Sequence, residues 1–342
     1  MIDVHTHWRP AEAADALRAR QKEPRIVRNA EGAEVLTSRM GDTPLDEAFD
    51  DVAAHLERMD RQGVETSVLS VLGSFCWIES QPLDVSGSLC RRVNDAFAAI
   101  CAAHPGRFAA FAALPLVDMD AAAAELERAL SLPGMMGAQL PGNFFLTRDD
   151  AETVRPLLEV AQRHHAALFI HHGPRPGDAF PKVGGSVDNA RRRNGTLDMQ
   201  ASLSSAMVTL CLTDLLAAYP DVTVVVHNLG GNIPYEVERM DHRCLLDTPD
   251  EELPSSRFRR AGVYVDCNSF GPRAIEAAVA LYGAEQIVCG TDGTAFGVDW
   301  TQKALSEARI SADEREAILR GNAAAMMARV GSAAEGMRVA AE

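Results

Sequence analysis

The sequence contains very little lysine. Of its 33 cationic residues only Lys22, Lys182 and Lys303 are lysines, and 48 acidic residues outnumber the cations, which gives a formal net charge of −15. Nucleic-acid phosphates and anionic lipid headgroups are bound by clustered cations, so this balance argues against both classes of ligand. We therefore expect no nucleic acid and no membrane among the partners of the chain.

A cysteine framework, a leader and a long apolar run are also lacking. The seven cysteines are widely spaced and form no Cys-x-x-Cys pair, which indicates reduced and mostly buried thiols. The opening residues MIDVH have neither the positive nor the apolar region of a signal peptide. No apolar run approaches the ~20 residues of a membrane span. These absences predict a cytoplasmic protein.

Short apolar runs alternate with longer helical stretches along the whole sequence. Runs such as VTVVVH and ALFIH are almost continuously apolar, which is typical of parallel strands covered on both faces. We predict eight strands, at Ile2–His5, Val64–Leu72, Phe108–Leu114, Gly137–Pro141, Ala167–His171, Val222–His227, Gly262–Asp266 and Gln286–Gly290.

Each predicted strand is followed by a predicted helix. Asp46–Gln62 has apolar residues at helical spacing, and Ser311 with Glu314 forms a capping box for the last long helix. This order predicts an α/β protein with a (β/α)8 TIM barrel as one domain, residues 1–330, and a tail at residues 331–342. A doubly wound open sheet fits the alternation too, but no G-x-G-x-x-G follows the first strand.

Two connections are too long to be plain turns. Trp8–Pro44 follows strand 1 and contains a predicted hairpin around residues 29–32, and His172–Asp198 follows strand 5. Long ordered loops are often lids or binding loops, and in a barrel both of these would lie on the carboxyl-terminal face.

Histidines and one aspartate stand where several predicted strands end. His5 and His7 are two residues apart on strand 1, so their side chains project from the same face. His171, His227 and Asp292 end or follow strands 5, 6 and 8. Any one of them could be an ordinary polar residue at a strand end. Together, neutral imidazoles and a carboxylate at one barrel mouth favour zinc or a similar divalent ion.

The motifs in this chain resemble those of the amidohydrolase superfamily. They include IDVHTH, ERMDRQGVETSVLS, HPGRFAAFAALP, LFIHH, YPDVTVVVHNLGG, CGTDG and the late GNAA, and they extend nearly from end to end. The chain is most similar to the branch that contains aminocarboxymuconate semialdehyde decarboxylase and the aromatic-acid decarboxylases. The resemblance therefore implies a metal-dependent barrel enzyme.

The resemblance also assigns roles to individual residues. The metal ligands it implies are His5, His7, His171 and Asp292, with His227 and Asp292 as the catalytic groups. This chain has His171-His172 where many relatives have His-Pro, so His172 is expected to line the pocket. Dinuclear members carry a carboxylated lysine on strand 4, where this chain reads GAQL. One divalent ion is therefore expected, zinc first and manganese second.

An anionic substrate in so acidic a chain needs cations that bind it. Arginine pairs with a carboxylate through two parallel hydrogen bonds, and Arg175 and Arg39 lie in the two long connections. Trp8 and Phe296 are adjacent to expected ligands. The substrate-binding residues that we predict are Arg175, Arg39, Trp8, His172 and Phe296.

The function implied by the resemblance is non-oxidative decarboxylation of a small aromatic or unsaturated carboxylic acid. The same site could instead hydrolyse a lactone, amide or ester, or hydrate a double bond, since relatives include a lactonase and a hydratase. A third hypothesis is a barrel that binds metal without catalysis. Relatives are commonly dimers or larger, so a homo-oligomer, with a homodimer first, is expected.

Overall fold

Eight parallel strands form the centre of the molecule. The computed structural model describes residues 1–39, 41–46, 49–71, 77–179, 189, 192–293 and 297–330. The eight strands pair in the order in which they follow one another along the chain. Val4 N donates to Cys289 O at 2.9 Å, which joins the last strand to the first. The predicted (β/α)8 barrel is therefore confirmed. Its strands are β1 Ile2–Trp8, β5 Thr66–Val71, β6 Phe108–Ala112, β7 Met135–Pro141, β8 Ala167–His171, β9 Thr223–Val226, β10 Val263–Asp266 and β11 Ile287–Val288.

Helices cover the outside of the barrel, and none of those described is long and apolar enough to cross a membrane. The α-helices are α1 Ala11–Ala19, α2 Val52–Gln62, α3 Leu83–Ala103, α4 Met119–Ala129, α5 Arg148–Glu152, α6 Arg155–His164, α7 Asp198–Leu212, α8 Ile233–Asp247, α9 Pro254–Arg257, α10 Pro272–Tyr282, α11 Gly297–Glu307 and α12 Ala312–Glu316. The chain remains helical beyond α12 to residue 330.

All eight predicted strands coincide with barrel strands, and the helix starts differ by a few residues. α2 begins at Val52 rather than at the predicted Asp46, because the Asp51 side chain accepts hydrogen bonds from the N–H groups of Ala53 and Ala54. Such an N-cap fixes the first turn of a helix. The capping box of Ser311 and Glu314 is confirmed.

The sheet has an inner and an outer apolar layer. Inside the barrel, residues such as Val4, Phe111 and Phe169 form one buried cluster, and the rings of Phe111 and Phe169 stack with centroids 5.3 Å apart. A larger cluster fills the space between strands and helices. Burial on both faces explains why the strands read as nearly continuous apolar runs.

The insertion after β1 contains α1 and a small antiparallel sheet. Its strands are β2 Arg25–Arg28, β3 Glu34–Ser38 and β4 Gly41–Pro44. The predicted hairpin is confirmed, and the Asn29 side chain accepts bonds from the N–H groups of Glu31 and Ala33 in its turn. Part of the second insertion lies outside the described residues. The predicted tail, residues 331–342, lies wholly outside them.

Candidate metal centre

The histidines and the aspartate singled out from the sequence meet at the carboxyl ends of the strands. One ligand atom each from His5, His7 and His171 lie within 4.8 Å of one another, and the same holds for His5, His227 and Asp292. His7 Nε2 is 3.4 Å from His5 Nε2 and 3.2 Å from Asp292 Oδ1. Side chains from both ends of the chain therefore share one small volume at the mouth of the barrel.

A bulge in β1 turns both of its histidines inward. The pairing of β1 with β5 shifts between Asp3 and Thr6, so an inner residue, Val4, is followed directly by His5. Bulges of this kind re-aim side chains next to active sites. His5 also needs space behind it, because a Cβ added at Gly290 would lie 2.9 Å from the Cβ of His5.

The Nδ1 atoms of His5, His7 and His171 each have a hydrogen-bond partner outside the cluster. His5 Nδ1 donates to Asp266 Oδ2 at 2.9 Å, His7 Nδ1 lies 3.0 Å from Ser70 Oγ, and His171 Nδ1 donates to the carbonyl of His172 at 2.7 Å. Partners of this sort fix the tautomer and the ring orientation of histidines that bind a metal. The three Nε2 atoms consequently converge as lone-pair donors.

His171 Nε2 is the atom of this cluster that most directly indicates a fit for a cation. It is buried, and no described residue hydrogen-bonds to it. Burial and the neighbouring His7 and His5 lower the pKa of His171 well below its usual value, which keeps the ring neutral. A buried nitrogen lone pair without a donor is costly in an unliganded protein, and a divalent cation would satisfy it.

The pKa values of His5 and Asp292 shift in opposite directions, and both shifts favour the charged form. Burial alone would lower the pKa of His5, but the charges of Asp266 and then Asp292 outweigh it, and the net shift is upward. Burial would raise the pKa of Asp292, yet the hydrogen bond from His7 and the charge of His5 bring it below the usual value. A carboxylate that stays ionised among imidazoles suits a cation.

His227 lies beside the cluster but has different partners. Its Nδ1 accepts a long bond of 3.4 Å from the backbone N–H of His172, and its Nε2 lies 3.0 Å from Asn268 Nδ2. Burial and the neighbouring His171 and His5 lower its pKa well below the usual value. A neutral imidazole next to a metal site can act as a base.

The predicted substrate-binding residues fall in different places. His172 is buried, and burial together with the charge of Arg39 lowers its pKa to about 3, which puts Arg39 in its vicinity. Arg175 is engaged by Asp150 and Asp178. Trp8 lies on the opposite face of β1 from His7, because successive strand residues alternate, and its ring packs on His55 at 5.5 Å. Phe296 lies outside the described residues.

Two supporting residues were not found from the sequence. Asp266 Oδ1 accepts from the N–H groups of Asn228 and Asn268 while its Oδ2 holds His5. The Asn268 amide also bonds the Asn228 side chain and lowers the pKa of Asp292 by a hydrogen bond. The segment VDCNS ends strand 7 of the barrel at the same mouth, and this position was the available signal.

An eight-stranded parallel barrel with imidazoles and a carboxylate gathered at its carboxyl-terminal mouth defines a metal-dependent barrel enzyme. The chain belongs to the amidohydrolase family, whose family model, described as Amidohydrolase, matches residues 2–328. It is thus an enzyme of the amidohydrolase superfamily, in the class of metal-dependent carboxy-lyases and hydrolases.

Similar proteins include several decarboxylases. The chain is 27% identical to a gamma-resorcylate decarboxylase of Rhizobium radiobacter over 283 residues, which cover 78% of this chain and 84% of that one. The apo crystal structure of Metarhizium anisopliae IDCase superposes with a TM-score of 0.78 at 19% identity, covering 96% and 97% of the two chains. A dihydroxybenzoic acid decarboxylase from Polaromonas with bound manganese and 2-nitroresorcinol gives a TM-score of 0.68 at 22% identity, covering 95% and 97%.

Proposed function

We propose that the chain is a mononuclear metal-dependent decarboxylase that removes carbon dioxide, without oxidation, from a small aromatic carboxylic acid. The observation that supports this proposal is the cluster of His5, His7 and His171, in which His171 Nε2 has no partner among the described residues and Asp292 Oδ1 lies 3.2 Å from His7 Nε2. The named activity of the gamma-resorcylate decarboxylase supports the reaction type and the aromatic substrate. An unsaturated, non-aromatic acid is the other member of the proposed substrate class.

The donor set fits one divalent transition ion. His5, His7, His171 and Asp292 would hold it, since neutral imidazoles with one carboxylate are a typical set for zinc, and a relative of the same fold carries manganese. Strand 4 of the barrel presents Gln139 and has no lysine, which favours a single ion. When bound, the ion supplies a Lewis acid that polarises the carboxylate of the substrate and a neighbouring oxygen.

Arg39 is the better of the two candidate arginines for binding the substrate acid. Burial and then the charge of Arg39 lower the pKa of His172, which follows His171 in the chain, and burial also lowers the pKa of Arg39. Arg175 already has Asp150 and Asp178 as partners, and their hydrogen bonds and charges raise its pKa. An arginine neutralised by two carboxylates has little left to offer a third.

Asp292 and His227 are the two groups that move protons in this proposal. The ring carbon that bears the carboxylate first takes a proton from the protonated carboxyl group of Asp292, which forms the new C–H bond. The bond between that carbon and the carboxylate then breaks, carbon dioxide leaves, and the electron pair of the broken bond restores the aromatic ring. Asp292 is left as the carboxylate that its lowered pKa favours. His227 passes a proton taken from solvent to Asp292 before the next turnover, and Asn268, which hydrogen-bonds both residues, keeps the two side chains adjacent.

The test uses the metal-loaded protein and a panel of hydroxylated benzoates that begins with 2,6-dihydroxybenzoate. We expect release of carbon dioxide equal to the acid consumed, and one deuterium at the vacated ring carbon when the reaction runs in D2O. Incorporation of 18O from labelled water without carbon dioxide would replace this proposal by hydrolysis or hydration. A protein that binds the ion but turns over none of the acids, lactones or esters would be a non-catalytic barrel.

Self-association is a separate prediction. The resemblance implies a homo-oligomer, and light scattering on the purified protein measures its mass directly.

A further inference from the structure

The carboxylate of Asp3 joins the first strand of the barrel to the turn after the last. It is 2% exposed. Oδ1 accepts from the backbone N–H groups of His5 at 3.1 Å and Thr291 at 3.0 Å. Oδ2 accepts from the hydroxyls of Thr6 at 2.7 Å and Thr291 at 2.6 Å. Four donors from the two ends of the chain therefore meet on one side chain.

On the first strand, Asp3 holds the bulge that points His5 inward. In a regular strand the sides alternate, so with Val4 inside, His5 would point outward to the helices. The bulge reverses this order, and His5 N donates to Asp3 where a regular ladder would offer it a strand partner. The Thr6 hydroxyl bonds the same carboxylate, so both residues that follow the shift are bound to it.

On the last strand, Asp3 holds the turn that carries Asp292. Asp292 has a φ of +57°, in the left-handed region that is unfavourable for residues other than glycine. Thr291, just before it, gives both its N–H and its hydroxyl to Asp3, and Asp292 N donates to His5 O at 2.9 Å. The hydrogen bonds of Thr291 to Asp3 therefore help to hold Asp292 in this unfavourable backbone conformation.

We propose that Asp3 is a positioning residue for the metal centre: it sets the separation of His5 and Asp292, and thereby the affinity for the ion, without touching the ion. The inference rests on the metal site of the proposed function. Asp3 lies on the outer face of β1 and lines a cavity of about 20 Å³ together with Thr6, Thr291 and residues of α2. Its hydrogen bonds go to the backbone of His5 and Thr291 and to the hydroxyls of Thr6 and Thr291, so it holds the segments that carry the ligands.

The two oxygens of a carboxylate are both needed in this role. Four donors point at Asp3, and its two oxygens each accept from two of them. An asparagine at this position would replace one of the two oxygens by an NH2 group. The two donors that bond that oxygen would then face another donor, and both of their hydrogen bonds would be lost. The bulge or the turn would then relax.

The experiment compares Asp3→Asn, Thr291→Val and Glu125→Gln with the wild type. Glu125 is a matched control because it is also buried but bonds Asn94 and Arg128 on the helical layer. The measurements are the zinc dissociation constant by chelator competition, the visible spectrum of the cobalt-substituted protein, and the unfolding midpoint of the metal-free protein.

We expect Asp3→Asn to weaken zinc binding by about 10- to 100-fold, the range found when residues behind metal ligands are changed. The cobalt spectrum should change with it. Thr291→Val should shift both in the same direction by less, while Glu125→Gln lowers the unfolding midpoint and leaves zinc affinity unchanged.

An unchanged zinc affinity in folded Asp3→Asn would overturn the inference and leave Asp3 a purely structural residue. Should Asp3→Asn fail to fold, Thr291→Val decides in the same way, since valine matches threonine in shape and removes only the hydroxyl. Failure of the metal site itself looks different, because in that case the wild-type protein would bind no zinc. Failure of the proposed reaction alone would show in the carbon dioxide assay and leave the expected order of zinc affinities unchanged.

Discussion

His171 and His227 stack with ring centroids 4.4 Å apart and planes inclined by 25°. Both rings also hydrogen-bond the backbone of His172. His171 Nδ1 donates to the carbonyl of His172, whereas His227 Nδ1 accepts from its N–H. The outer nitrogen of His171 is therefore a lone pair with no described partner, and that of His227 faces Asn268. Two adjacent and similar rings are thus suited to different tasks, one to binding an ion and the other to moving a proton.

Replacing His171 tests the ligand role. We expect His171→Ala to lose stoichiometric zinc, because one of the four proposed donors is removed. Elemental analysis of the purified variant measures the loss. His164→Ala is the matched control, since His164 bonds Glu127 on the surface of α6 and should keep a full complement of metal. Full metal content in His171→Ala would contradict the assignment.

Replacing His227 tests the catalytic role. His227→Asn should keep its metal, because the four proposed ligands are intact, and should lose about 10²- to 10⁴-fold in kcat, the usual contribution of a general acid or base. Elemental analysis and a carbon dioxide assay on the same preparation separate the two effects. Unchanged turnover would remove His227 from the mechanism.

The two arginines give a paired comparison. Arg39→Gln should raise KM for the acid by about tenfold or more, because a charge-assisted hydrogen bond to the substrate is lost. Arg175→Gln should instead lower the unfolding temperature, because Asp150 and Asp178 lose their common partner. Steady-state kinetics and thermal unfolding of both variants decide between them, and the reverse pattern would make Arg175 the substrate-binding residue.

Glu79 gives a stability prediction that does not depend on function. It is 2% exposed, and burial raises its pKa to about 7 from an ordinary 4.5. The folded protein thus prefers the protonated carboxyl, and the stability this contributes is complete below about pH 4.5 and is lost as the pH rises to about 7. The loss amounts to about 3 kcal/mol in the free energy of unfolding.

Glu79→Gln should remove that dependence. The difference in unfolding free energy between variant and wild type, measured by denaturant titration, should increase in favour of the variant between pH 4.5 and 7 and stay level above it. Glu65→Gln is the control, because Glu65 is an exposed carboxylate paired with Arg320 and should show no such increase. A flat difference for Glu79→Gln would show that its carboxyl is solvated.

The barrel could be predicted because its strands are buried on both faces. VTVVVH and ALFIH contain no polar alternation, and the helices between them have caps that can be read directly, as at Ser311. Gly41–Pro44 was not predicted as a strand, since the letters GDTP carry no strand preference. It pairs with β3 only because the hairpin before it presents a free edge.

The meeting of the candidate ligands could be predicted because parallel strands place their carboxyl ends at one mouth, whatever the distance along the chain. The roles of Asp266 and Asp3 could not, because each depends on which backbone donors the fold brings to it. The pairing of Arg175 illustrates the same limit. It follows a ligand closely in sequence, but Asp150 reaches it from another loop and only the folded chain shows this contact.

His5 and His7 lie near the start of the sequence and Asp292 follows the last barrel strand. During translation the two histidines leave the ribosome long before Asp292, the carboxylate of the proposed ligand set. If Asp292 binds the ion as proposed, a nascent chain reaches full affinity only after synthesis has passed the final strand. Cells starved of the metal would accumulate folded, metal-free protein. Adding the ion to protein harvested from such cells should then be sufficient to fill the site.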